Sequence, residues 1–310
     1  MLIFSSSYFW LIFWFILNIV ITLMNKAVFK IWKFPFPITM SLVHMFFTSF
    51  FSTLYLEYND TGTTPKIERR IYWKIFLFSI LYCLNILFGN YSLFLVEVSL
   101  VQITRSTIPG ITMILSYFLL NKRYSFYYVQ GILLVVLGVA LASYGGTNVS
   151  LLGLSITFTV CFLSSFKSVT SSILLDQKIE PIRFSQIMSI LSFIQMLIFS
   201  YLTGEMDKIL SDRKYHTMPY LIILSLNGSL AFLLNLSNFS FIKKNSALTL
   251  SVAGNMKHIT TILLSFIIFE TSISSMAMIG TLIAIIGAAL YAFTEYKEKM
   301  KVESTKNQNL

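Results

Sequence analysis

Ten apolar stretches follow one another along the chain, and that succession constrains it more than any other feature. They fall near 8–28, 36–57, 73–95, 98–120, 125–144, 150–174, 182–203, 218–242, 246–269 and 274–294. About 20 apolar residues span the hydrocarbon core of a bilayer as a helix. A helix suits lipid because it pairs its own backbone polar groups. Charge or turn chemistry punctuates the stretches, at Pro35 and Pro37, 59–66, 121–123, 145–148, 180–181, 207–219 and 243–245. An all-α membrane protein of ten transmembrane helices is therefore expected. Only 12% of the 310 residues are charged and 56% are hydrophobic. Soluble domains carry about twice that charge density, so soluble enzymes, disordered chains and disulfide scaffolds are excluded. What remains between the stretches is too short for a folded extramembrane domain.

Charge sets the expected orientation. Connections on the side of the two termini hold fourteen Lys and Arg, and those on the other side hold six. Positive residues concentrate on the cytosolic face, so both termini are expected in the cytosol, with 296–310 as a basic tail. An internal repeat is also visible. A shift of 149 positions brings Thr112, Leu115, Ser116, Ser125, Gly131, Leu133, Gly138, Ala140 and Leu141 onto identical residues, ending at Leu290. The shift maps the fourth and fifth stretches on the ninth and tenth. Five helices per half then invert the second half relative to the first. The expected units are 1–145 and 146–295, two inverted five-helix repeats of one integrated domain. Such repeats characterise secondary transporters, which hold their substrate near midplane between the halves.

Three Lys or Arg remain after the connections are counted: Arg105, Lys167 and Lys257. A cation at a helix centre costs about 2.5–3.5 kcal/mol on insertion scales. Snorkelling requires a position near a span end, and these lie inside. An ion pair requires an acid at similar depth, whereas Glu57, Glu97 and Glu270 fall at span ends. Three cations facing a water-filled cavity make an anion site. Under the shift, Lys257 corresponds to position 108, about one helical turn from Arg105. The two charges thus approach one anionic group from symmetry-related helices. Asn85, Asn90, Ser92, Gln102, Thr104 and Ser106, then Asn227, Asn235, Asn238 and Ser240, then Thr249, Ser251, Asn255, Thr260 and Thr261 fit a polar cavity. Such residues also serve as interhelical glue, and half of them are assigned that role. Gly131, Gly138, Gly280 and Gly287 read as close-packing positions.

Other features carry no chemistry. Cys83 and Cys161 sit in apolar runs, and His44, His216 and His258 have no ligand spacing; no metal or other cofactor is expected. The net charge of +10 comes without a basic patch interleaved with aromatics, so no nucleic-acid partner is expected. The opening MLIFSSSYFW has neither a basic n-region nor an Arg-rich leader, and reads as the start of the first span.

Asn25-Lys26 is followed by Phe34-Pro35-Phe36-Pro37, and Asn90 to Pro109 carries Gln102 and Arg105-Ser106. Lys167-Ser168, and Ser246 through Gly254-Asn255-Met256-Lys257, come after them in order. Over about 8–294 these motifs resemble one branch of the drug/metabolite transporter superfamily, the triose-phosphate translocators and nucleotide-sugar transporters. The first pair is similar to that branch's opening and the Asn90–Pro109 run to its span 3–4 signature. The resemblance implies ten helices in two inverted halves and a central cavity. It adds Asn25, Lys26, Asn90, Gln102, Gly254 and Asn255 to the cations as substrate-binding residues. His258 stands where plastid triose-phosphate exchangers tend to carry a second basic residue. The Gly-Asn-Met-Lys run and the seventh span depart from the GDP-mannose carriers.

The expected function is an antiporter working by alternating access. It exchanges a nucleotide sugar for a nucleoside monophosphate in the Golgi or endoplasmic reticulum membrane. The alternative is a sugar-phosphate/phosphate translocator of a plastid-type organelle envelope. A membrane enzyme acting on lipid-linked sugars requires a catalytic acid that the sequence does not place near the cations. The expected partners are an anionic small molecule and the lipid bilayer, with a homodimer as an open assembly.

Overall fold

The computed structural model describes residues 7–58, 69–121, 126–144, 150–176, 179–244 and 274–308, with 254, 257, 258, 260, 261, 264, 267 and 268 between the last two segments. Its regular elements are helical: α1 (Ser7–Lys30), α2 (Pro37–Tyr58), α3 (Arg69–Leu95), α4 (Val98–Arg105), α5 (Ile108–Leu120), α6 (Phe126–Tyr144), α7 (Leu151–Leu175), α8 (Pro181–Leu202), α9 (Glu205–Ser211), α10 (Met218–Lys244) and α11 (Ser275–Gln308). A short 3₁₀ turn, Arg213–His216, precedes α10. Among the described residues, seven segments are long and apolar enough to cross a membrane, and α6 and α11 contribute shorter apolar helices. Most of the expected ninth span, 246–269, lies outside the described residues.

The fourth span is broken. Val98–Leu120 crosses as one apolar segment, yet α4 stops at Arg105 and α5 starts at Ile108. Pro109 has no N–H to donate to the carbonyl of Arg105, four residues back. The chain tightens instead: Ser106 N reaches Ile103 O and Thr107 N reaches Thr104 O, each at 3.1 Å. These are the i→i+3 bonds of a 3₁₀ turn. Arg105 therefore occupies the last turn of α4, where the negative end of the helix dipole favours a cation.

Helix packing follows a pattern. α2 packs on α8, α6 on α11, α1 on α10 and α3 on α7. The 149-residue shift carries α1, α2, α3 and α6 onto α7, α8, α10 and α11. Exchanging the halves leaves the first two pairs unchanged and swaps the last two. The α6–α11 crossing repeats this at atomic scale. A Cβ on Gly138 would collide with Ala284 N, and one on Gly287 would lie 2.6 Å from Val135 N. These contacts interchange under the same shift. The helices run antiparallel, since Tyr128 stacks edgewise on Tyr291 while Gly138 meets Gly280 and Ala284.

One end of the bundle, where α1 gives way to α2, is closed by aromatic and polar clamps. Phe34, Phe36, Tyr215 and Tyr220 interlock with centroids 5.1–6.3 Å apart. Tyr220 donates to Trp32 O at 2.7 Å. Lys26 Nζ donates to Leu93 O at 2.7 Å and Val96 O at 2.8 Å, satisfying two carbonyls at the end of α3. Glu205 of α9 receives Thr39 N at 2.8 Å and Ile38 N at 3.4 Å. It thus caps α2 from a distant part of the chain, placing a carboxylate at the positive end of that helix.

Candidate functional site

Between the helices lies a cavity of about 220 Å³, far more than the roughly 10–15 Å³ that one water needs on the same measure. α1, α3, α7 and α10 supply most of its wall, with His44 and Met45 of α2, Arg105 and Ile108 at the α4–α5 break, and Gly254, Lys257 and His258. Arg105, Lys167 and Lys257 all line it. Among the described residues its wall carries no carboxylate.

The two lysines rest against neutral groups. Lys257 Nζ donates to Asn18 Oδ1 at 3.2 Å and lies 5.2 Å from the centroid of the Trp14 ring. Lys167 Nζ lies 5.5 Å from the centroid of Tyr82. An aromatic face attracts a cation without supplying a counter-charge, so neither contact pairs an ammonium group with an anion. Arg105 lies against α3, where Gly89 leaves space: a Cβ there would be 3.6 Å from Arg105 Nη2. Arg105 Nε is buried and has no hydrogen-bond partner among the described residues. Asn18 and Lys167 are themselves 149 positions apart. Asn18 and Lys167 line the cavity together with Lys257 and Arg105, one amide and three basic residues.

The sequence-expected residues divide. Asn25, Asn90 and Gly254 line the cavity with the three cations. The Asn25 and Asn90 amides are bonded to one another, Nδ2 of Asn25 to Oδ1 of Asn90 at 2.8 Å. Lys26 is on the rim as the clamp on α3 rather than on the cavity wall. Gln102 stands behind the wall, its Oε1 2.5 Å from Nδ1 of His258, which does line the cavity. Asn255 lies outside the described residues. Asn18, His44 and His258 are site residues that sequence reasoning misses. Asn18 carries a signal, as the one amide in the middle of an otherwise apolar first span. The two histidines carry none, because only packing brings them to Asn227 and Gln102. Glu205 is outside the spans; burial raises its carboxyl above the usual range despite the hydrogen bonds from Thr39 and Ile38.

Known proteins share this sequence pattern and fold. Residues 6–292 match the Triose-phosphate Transporter family. A probable sugar phosphate/phosphate translocator of Arabidopsis thaliana is 31% identical, over 93% of this chain and 81% of its own length. UDP-galactose transporter 1 of the same plant is 29% identical, over 91% of this chain and 85% of its own. GDP-mannose transporter GONST5, also from that plant, is 28% identical over 91% and 84%. A solved crystal structure superposes with a TM-score of 0.58 at 13% identity, covering 89% of this chain and 95% of the other. That likeness concerns the fold alone.

Proposed function

Since the chain belongs to the triose-phosphate transporter family, we propose that it is an antiporter exchanging a nucleotide sugar for a nucleoside monophosphate by alternating access. One observation carries the reading: Arg105, Lys167 and Lys257 face a common cavity whose described wall offers them no carboxylate. A phosphoryl group supplies what that wall lacks, a multiply charged acceptor for several cationic donors. The cavity lies between helices of both halves, where inverted-repeat transporters hold their cargo. The interchangeable packing of α1–α10 with α3–α7 supports the two-repeat reading, with 1–145 and 146–295 as the repeats. The charge bias supports cytosolic termini. The proposed membrane is that of the Golgi or endoplasmic reticulum.

A second reading is a sugar-phosphate/phosphate translocator in a plastid-type envelope. It is favoured by the relatives described as probable sugar phosphate/phosphate translocators. Both readings place the phosphoryl group on the same cations. Purified protein in liposomes separates them. Vesicles preloaded with either inorganic phosphate or nucleoside monophosphates are offered a panel of labelled nucleotide sugars and sugar phosphates. Uptake driven by the monophosphates supports the first reading, and uptake driven by phosphate supports the second. Arg105→Ala and Lys257→Ala each abolish uptake while the protein still accumulates in the membrane. Normal uptake by either variant removes that residue from the site.

A further inference from the structure

The cavity wall includes amides as well as cations, and their hydrogen bonds separate those committed to the fold from those free to read a ligand. A carboxamide offers two donors and an acceptor. Asn25 and Asn90 spend theirs on Asn227, on each other and on Ser41. Asn18 spends its own on Trp14 O and Lys257. Asn235 makes one long bond to Thr48, at 3.4 Å. Asn238, one turn further along α10, lines the cavity, and its amide bonds to no group among the described residues. It is neither buried away nor satisfied.

The register explains why an amide stands there. Asn238 corresponds to Gly89 under the 149-residue shift, and Gly254 corresponds to Arg105. In the first half a glycine on α3 leaves space beside the Arg105 guanidinium. In the second half the glycine is at 254, where a Cβ would lie 3.8 Å from His258 Nε2 and from the Trp14 ring, and the polar side chain is on α10. Polar residue and glycine thus exchange helices between the two pairs of corresponding positions. The cavity wall thus carries a neutral amide, unpartnered among the described residues, as well as the three cations.

We propose that Asn238 is a specificity residue, whose carboxamide hydrogen-bonds the uncharged, hydroxyl- or amide-bearing part of an organic phosphate while Arg105, Lys167 and Lys257 hold its phosphoryl group. The assignment rests on the anion-site reading above and adds to it the residue that distinguishes an organic phosphate from inorganic phosphate. A carboxamide reads hydroxyl and amide groups, which a bare phosphate held by the cations does not carry. Asn235, next to it and only weakly tied to Thr48, is free to join the same contact.

Binding to the purified full-length chain tests this, read as ligand-dependent thermal stabilisation with inorganic phosphate, glucose 6-phosphate and UDP-galactose. Asn238→Ala is expected to weaken the organic probe that binds the parent by roughly 3- to 10-fold, the loss of about one hydrogen bond. Inorganic phosphate is expected to change by less than about twofold, below the loss of even one neutral hydrogen bond. An equal loss for phosphate and the organic probe overturns the proposal, as does no loss for either. Should the alanine variant fail to accumulate, Asn238→Ser replaces it in the same comparison, and the same two results overturn the proposal. Lys257→Ala, measured alongside, is expected to lose every probe. If it retains them, or if the parent binds neither organic probe, the anion-site reading falls. If Lys257→Ala loses them while Asn238→Ala keeps all three, only the specificity assignment falls.

Discussion

Asn227 Nδ2 donates to Asn25 Oδ1 at 2.8 Å, joining α10 to α1 across 202 positions of sequence. The bond is one link of a directed chain. Asn25 donates to Asn90 and Asn90 to Ser41 Oγ, each at 2.8 Å, and Ser41 donates to Pro37 O at 2.8 Å. His44 Nε2 meets the remaining acceptor, Asn227 Oδ1. Because the Asn227 nitrogen is already committed, the imidazole must carry its proton on Nε2. Four helices from both halves are thereby tied beside the cavity.

Asn25→Ala is expected to lower thermal stability, because it strands a donor on Asn227 and an acceptor on Asn90. Each buried group left unpaired costs about 1–3 kcal/mol. In a double-mutant cycle with Asn90→Ala the losses are expected to be less than additive, since the two residues share one bond. Additive losses in melting temperature would place them outside a common network.

Exchange is expected to be obligatory. An empty carrier would have to close over Arg105, Lys167 and Lys257 without a counter-charge. A penalty of about 2.5–3.5 kcal/mol for even one such cation slows the empty transition by roughly two orders of magnitude. A loaded carrier avoids that barrier. Initial uptake into preloaded proteoliposomes should greatly exceed uptake into empty ones, and equal rates would refute the coupling.

Glu205 gives a pH dependence of defined sign. Its carboxyl is raised above the ordinary 4.5 by desolvation, which outweighs the hydrogen bonds from Thr39 and Ile38 and the nearby Lys208. The folded state therefore binds this proton more tightly than the unfolded state. That contribution is complete below about 4.5 and is lost as pH rises through the raised value. The melting temperature of the parent, relative to Glu205→Gln, should fall as pH increases from about 4.5. A difference that stays constant or rises would show that the capping bonds dominate.

Gly138→Ala is expected to separate α6 from α11. Its new Cβ would fall 2.8 Å from Ala284 Cα, a backbone atom that cannot rotate away. Overpacking of this kind costs about 1–3 kcal/mol. Gly204→Ala, at a position where a Cβ meets nothing within 4 Å, is a poor control because φ there is +69° and disfavours a side chain. Ile286→Ala, on an exposed position of α11, is the better one. A Gly138→Ala protein as stable as the parent would contradict the close crossing.

The sequence by itself determined the membrane class, most span positions and the three cations. Span length follows from bilayer thickness, and charge at membrane depth is too costly to be incidental. The Gly138–Ala284 and Gly287–Val135 approaches of α6 and α11 stand 149 positions apart, as the shift read in the sequence has them. The sequence did not reveal that the fourth span breaks at Arg105, despite Pro109, because the apolar pattern runs through the break. Nor did it separate Asn25 and Asn90 from Asn238. All three are amides inside apolar spans, and a one-dimensional pattern assigns them the same polarity. Only the tertiary structure decides which amides meet each other and which face the cavity. Hydrogen bonding is short-ranged and directional, and the partners lie 65 and 202 positions apart.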